Sequence, residues 1–151
     1  MPSKPLPHVL CVEDDEDSRE LLIALLRHEL IEAKAVGTAV QAISSIKTEH
    51  FDLYLLDSRL PNLDGFALCR RIRDFDPETP ILFFSGAAYE ADKKRGIEAG
   101  ANAYLIKPDL DGLLESIKQF VSHEESVTAK VIPFRPKVSF PPPFTLEPFA
   151  A

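Results

Sequence analysis

HVLCVEDDEDSRELLIALLRH, residues 8–28, runs from a short apolar stretch through five consecutive carboxylates, Glu13 to Asp17, into leucines at helical spacing. Residues 8–12 read as a short buried strand. Residues 16–30 read as a helix carrying Leu21, Leu22, Leu25, Leu26 and Leu30. The unit is therefore strand, acidic loop, helix, and the same alternation continues along the chain. IEAKAV (31–36) alternates weakly and is the second strand. Thr38 then caps a helix with Ala39, Ala42, Ile43 and Ile46 on one face. FDLYLL (51–56) is a third strand ending at Asp57, followed by turn chemistry from Pro61 to Gly65. The next helix turns Phe66, Cys69 and Ile72 inward and Arg70, Arg71 and Arg73 mostly outward. Pro80 opens the strand ILFFS (81–85), residues 89–99 form a charged helix, and NAYLI (102–106) is a fifth strand stopped by Pro108. Leu110, Leu113, Leu114, Ile117 and Val121 stripe a last helix. Five strands and five helices alternate, and the strands are apolar on both faces, as in a parallel sheet covered on both sides. The fold class is a doubly wound α/β domain with right-handed crossovers.

The 151 residues amount to about one such domain. A hydrophobic fraction of 45% and a charged fraction of 27% predict a packed core. The net charge of −7 argues against sequence-independent binding to a nucleic-acid backbone, which needs a basic surface. No apolar run approaches bilayer length, and MPSKPLPHVL has no signal-peptide core, so no membrane association is expected. Cys11 and Cys69 sit in apolar stretches and form neither a disulfide framework nor a metal spacing, which points to a reducing cytoplasm. Nine of the 13 prolines lie at the ends. The expected division is an extension over 1–7, the folded domain over 8–121 and a Pro/Phe-rich tail over 122–151 without an effector domain. In the tail, VTAKVI has the character of a short strand. Phe134, Phe140, Phe144 and Phe149 leave open whether the tail is disordered, folds back, swaps onto a neighbour or docks on a partner.

Ligands of open α/β sheets bind outside the carboxyl ends of the strands. There the sequence places Glu13 to Asp17 after the first strand, Asp57 after the third, Ser85 and Gly86 after the fourth, and Lys107 and Pro108 after the fifth. Glu16 and Asp17 suit a helix N-terminus. Carboxylates gathered with Asp57 at one rim repel each other unless a cation joins them, and hard oxygen donors of this kind suit Mg²⁺. Lys107 can pair with Asp57 or bind an anion carried on it, and the bond to Pro108 is open to the cis form found in tight turns as well as to the commoner trans form. The Ser85 hydroxyl can donate to a phosphoryl oxygen. Tyr104, by itself, reads as a half-buried strand aromatic. Dinucleotide, P-loop and α/β-hydrolase chemistry are unsupported, because no G-x-G-x-x-G, G-x-x-x-x-G-K-[ST] or G-x-S-x-G occurs. His8, His28, His50 and His123 share no zinc-ligand spacing.

The segments CVEDDEDSRELL, LYLLDSRLPNLDGF, ILFFSG and GANAYLIKP, in this order, resemble the receiver domain of two-component response regulators, over about residues 8–121. The resemblance implies a flavodoxin-like sheet of order 2-1-3-4-5. It implies that Asp57 is the phosphoacceptor and that Lys107 and Ser85 assist. It also implies that Asp14 and Asp57 hold Mg²⁺ directly, Glu13 through water and Arg59 through its backbone carbonyl. Ser85 and Tyr104 match the switch pair, and Pro61 and Gly65 match the turn after the acceptor strand. Arg59 and Ala87 occupy positions that tune phosphoryl lifetime, and the apolar Ala87 implies slow autodephosphorylation. Ser85 and Gly86 stand where Thr and Ala are commoner. The implied partners are a histidine kinase or histidine phosphotransfer protein and a downstream protein docking on helix 4, strand 5 and helix 5. A homodimer is allowed, and no direct DNA binding is expected. The implied role is a stand-alone cytoplasmic phosphoacceptor rather than an enzyme. Two other readings remain open: an adaptor that docks without phosphorylation, and an aspartyl-phosphate hydrolase. The hydrolase type resembling haloacid dehalogenases carries D-x-D after the first strand, whereas Asp57-Ser58-Arg59 follows the third.

Overall fold

The computed structural model describes residues 5–122; the tail phenylalanines and the VTAKVI segment lie outside them. The elements alternate as the periodicity predicts: β1 (His8–Val12), α1 (Glu16–His28), β2 (Glu32–Val36), α2 (Ala39–Thr48), β3 (Leu53–Leu56), α3 (Gly65–Phe75), β4 (Ile81–Ser85), α4 (Glu90–Ala99), β5 (Ala103–Ile106) and α5 (Leu110–Val121). The five strands form one sheet in the order β2-β1-β3-β4-β5, and every neighbouring pair is parallel. Among the described residues, no helix is long and apolar enough to cross a membrane.

Alternate residues of the central strands feed two cores, as strand pleating requires. Leu10, Val12, Tyr54, Leu56, Ile81 and Phe83 pack with α2 and α3 residues such as Ala42, Leu68 and Ile72. Val9, Cys11, Leu53, Leu55, Leu82 and Phe84 pack with Leu22, Leu26, Leu113 and Ile117 of α1 and α5. β1, β3 and β4 are almost wholly buried, whereas β5 is half-buried along its length because it is an edge strand.

Two expectations are corrected. Of the α1 leucines, Leu21 is 51% and Leu30 is 68% exposed, so they do not belong to the core stripe. Leu30 lies beyond the helix, in a left-handed turn at φ 62°, where the Ile31 N–H donates back to the Leu26 carbonyl. Arg73 does not point outward. Its guanidinium donates to the carbonyls of Gly100 (2.9 Å), Asp76 (3.0 Å) and Thr79 (2.7 Å) and to Asn102 Oδ1 (3.0 Å). These bonds join the end of α3 to the chain entering β4 and β5, so the arginine satisfies loop carbonyls at the far end of the sheet from the strand carboxyl termini.

Candidate functional site

The ladder hydrogen bonds continue one residue past several strands. Glu13 N–H donates to the Val36 carbonyl (2.9 Å), Asp57 N–H to Val12 (3.0 Å) and Lys107 N–H to Ser85 (3.0 Å). Each side chain at this edge therefore projects from backbone held by the sheet. Gly65 supports the same place: it donates to the Ser58 carbonyl at 2.9 Å, and a Cβ there would come within 2.0 Å of the Asp57 carbonyl oxygen. Only glycine permits α3 to start so close to the end of β3.

Glu13, Asp14 and Asp57 converge, with one carboxylate oxygen from each within 4.8 Å of the others. Glu13 is 4% and Asp57 8% exposed, while Asp14 faces solvent. The Lys107 ammonium bridges the two buried acids, 2.7 Å from Glu13 Oε1 and 3.1 Å from Asp57 Oδ2. Burial raises the Glu13 pKa, helped by the Asp57 charge, against the lowering effect of Lys107 and of the Asp15 N–H. Burial also disfavours the Lys107 charge, but its hydrogen bonds to Glu13 and Asp57 outweigh that and hold its pKa above the ordinary value. Three carboxylates and one ammonium leave two negative charges, which a single divalent cation neutralises. All the donors are hard oxygens, so the residues present fit Mg²⁺.

The acidic run divides its labour. Glu13 and Asp14 join the cluster. Asp15 caps α1, accepting from the Ser18 N–H and hydroxyl at 2.9 Å each, and Glu16 and Asp17 sit in the first turn, where the helix dipole favours them. Arg19 braces the loop by donating to the carbonyls of Glu13 (2.9 Å) and Asp14 (3.0 Å).

Ser85 is fully buried, and its Oγ lies 2.6 Å from Ser58 Oγ and accepts from the Ala87 N–H at 3.1 Å. Tyr104 is half-buried and lies inward. It stacks on Phe83 at 5.5 Å and donates from its hydroxyl to the Ala87 carbonyl at 2.7 Å. Ala87 thus joins the serine and the tyrosine through its two backbone groups. The Arg59 side chain is exposed, and its N–H donates to Asp57 Oδ1 at 3.2 Å. The Lys107–Pro108 bond is cis. Residues that sequence reasoning missed are Ser58, Arg19 and the capping Asp15. Only Asp15 carried a signal, a carboxylate three residues before Ser18 at the helix start.

The model of the response regulator receiver domain matches residues 9–118. The transcriptional regulatory protein CseB of Streptomyces coelicolor is 40% identical over 101 residues, covering 67% of this chain and 43% of that protein. The chain spans between 18% and 52% of the length of curated relatives such as this one. Among solved structures, a CheY-like receiver domain protein from Methanospirillum hungatei is 30% identical with a TM-score of 0.75, covering 80% of this chain and 98% of that one. The receiver domain of the sensor histidine kinase PA1611 of Pseudomonas aeruginosa, with a magnesium ion coordinated in its active site cleft, is 31% identical with a TM-score of 0.71, covering 78% and 98%.

Proposed function

This chain belongs to the response regulator receiver domain family, and from that premise we propose that Asp57 is its phosphoacceptor, in Mg²⁺-dependent transfer from a phosphohistidine. Receiver domains act as phosphoacceptors in signalling and interact with histidine kinases. The observation that carries the reading to these residues is the Lys107 ammonium bridging buried Glu13 and Asp57 beside a third carboxylate. In the proposed step, an Asp57 carboxylate oxygen attacks phosphorus, the P–N bond to the donor imidazole breaks, and a mixed anhydride forms on Asp57. The imidazole leaves with the bonding electron pair. Such transfer needs little covalent help beyond positioning and charge stabilisation. Lys107, already paired with Asp57, neutralises charge developing on the phosphoryl oxygens. Asp14 and Asp57 would hold Mg²⁺ directly, with Glu13 reaching it through water and Arg59 through its carbonyl; the ion would neutralise further charge. The new group brings nearly two negative charges and three acceptor oxygens. Ser85 would answer it, and through the Ala87 backbone, which bonds both Ser85 and Tyr104, the change would reach Tyr104 and the face formed by α4, β5 and α5, where a protein partner would read it. The absence of a hydrogen-bonding side chain at Ala87 favours a long phosphoryl lifetime, because nothing there orients an attacking water. CseB, named a transcriptional regulatory protein, and MtrA, named a DNA-binding response regulator, are longer proteins, and their whole activity is not transferred to this chain.

The test is Mg²⁺-dependent labelling by acetyl phosphate or a phosphorylated kinase. Asp57→Asn abolishes it; a variant that still labels overturns the assignment. Partner binding unchanged by phosphorylation would favour the adaptor reading.

A further inference from the structure

Ser58 follows the acceptor directly, is 3% exposed, and places its hydroxyl 2.6 Å from that of the fully buried Ser85. Two hydroxyls carry two protons, and the contact between them uses one. Ser85 Oγ also accepts the Ala87 N–H. Among the described residues, no carbonyl or carboxylate accepts the second hydroxyl proton. A buried donor without an acceptor is unfavourable, and the unfavourable term is removed when an acceptor arrives. The polarity that leaves the proton on Ser85 is the one in which Ser58 donates. Both acceptor positions of Ser85 Oγ are then filled, by the Ala87 N–H and the Ser58 O–H, and its single remaining valence is the proton.

We propose that Ser58 is a positioning residue for the phosphoryl switch: its hydroxyl donates to Ser85 Oγ, so that the Ser85 proton is free and is delivered to a phosphoryl oxygen on Asp57. The two serines act as a relay, in which the first hydrogen bond polarises the second. The inference rests on Asp57 being the acceptor. It adds the residue that prepares Ser85 for a new oxygen at that site.

The experiment is titration of the full chain with Mg²⁺ and then beryllofluoride, followed by amide NMR. Wild type, Ser58→Ala, Ser85→Ala and the double variant form a cycle, with Ser58→Thr retaining the hydroxyl. Ser58→Ala weakens beryllofluoride binding about fivefold and shifts the Ala87 amide resonance in the free protein, while Mg²⁺ affinity stays at the wild-type value. Ser58→Thr keeps binding within about twofold of wild type. In the Ser85→Ala background, Ser58→Ala has no further effect. Should Ser58→Ala fail to fold, Ser58→Cys, nearly isosteric with a weak donor, takes its place with the same expectation. Unchanged beryllofluoride affinity in Ser58→Ala or Ser58→Cys overturns the relay. A loss that persists in full without Ser85 also overturns it, because Ser58 would then be reaching the phosphoryl group by itself. Wild type that binds Mg²⁺ but not beryllofluoride overturns the acceptor reading, and the relay with it.

Discussion

Gly96, in the middle of α4, tests how the Tyr104 ring is held. In a helix interior, glycine is less stable than alanine by about 0.5–1 kcal/mol, so Gly96→Ala should stabilise the protein if propensity decides. The surroundings oppose this. A Cβ at Gly96 comes within 2.8 Å of Tyr104 Cδ2 and within 3.1 and 3.3 Å of Phe83 ring carbons. Phe83 is fully buried, with ring centroids of Phe66 at 5.2 Å and Tyr104 at 5.5 Å, and has no room to give. The half-buried Tyr104 must move, which breaks its hydrogen bond to the Ala87 carbonyl, worth about 0.5–1.5 kcal/mol, and part of its stacking, worth about 0.5–1.5 kcal/mol. Overpacking of a core costs about 1–3 kcal/mol. Steric and hydrogen-bond losses exceed the propensity gain, and the net expectation is destabilisation of about 1–2 kcal/mol, a fall in Tm of about 4–10 °C. Thermal unfolding by circular dichroism measures the first quantity, and the NMR shifts of the Tyr104 ring and the neighbouring β4–α4 loop measure the displacement. In a Tyr104→Phe background, which already lacks the hydroxyl bond, the Gly96→Ala loss should shrink by about 1 kcal/mol. A higher Tm with unmoved Tyr104 resonances would refute the reasoning and leave Gly96 without a role in placing the ring.

Two further outcomes follow from titratable groups that are not members of the acidic cluster. Burial acts to raise the Asp76 pKa, but hydrogen bonds from the Tyr54 hydroxyl (2.7 Å) and from the Thr79 and Glu78 N–H groups outweigh it and hold the carboxyl below its ordinary value. A depressed carboxylate contributes stability that is present above its unfolded pKa, about 4, and is lost as pH falls through the folded value. Asp76→Asn should therefore lower stability by about 1 kcal/mol at neutral pH, with the gap to wild type closing in acid denaturation curves below about pH 4; a gap independent of pH would contradict it. Burial pushes the thiols of Cys11 and Cys69 up to about 12. Native protein should resist iodoacetamide at pH 8 at both positions, with alkylation appearing only as denaturant unfolds the chain, and rapid native labelling of either would count against the buried placement.

Local periodicity carried most of the fold, because a strand buried on both faces and a helix buried on one leave different repeats in the chain. From His8 to His28 that change of period is visible without any partner, and the acids between the two elements fall at the sheet edge by topology alone. The candidate site was legible for the same reason: Glu13, Asp57, Ser85 and Lys107 each lie one residue past a strand or at its last residue, and parallel strands bring such ends to one edge. The strand order itself came from family resemblance, since alternation does not say which strands are neighbours.

What only the tertiary structure decided lies in contacts between residues far apart in the chain. Ser58 and Ser85 are 27 positions apart, and neither neighbourhood signals that their hydroxyls meet. Arg73 has the look of a helix-surface charge, yet it finds carbonyls at Thr79 and Gly100 that no local pattern pairs with it. Gly96 reads as a weak point in a charged helix until Phe83 and Tyr104 are seen against it. Periodicity specifies which face of an element is buried, because burial acts on each residue through its own hydrophobicity. Which polar group meets which is set by the packing of elements against one another, and that geometry is a property of the whole fold.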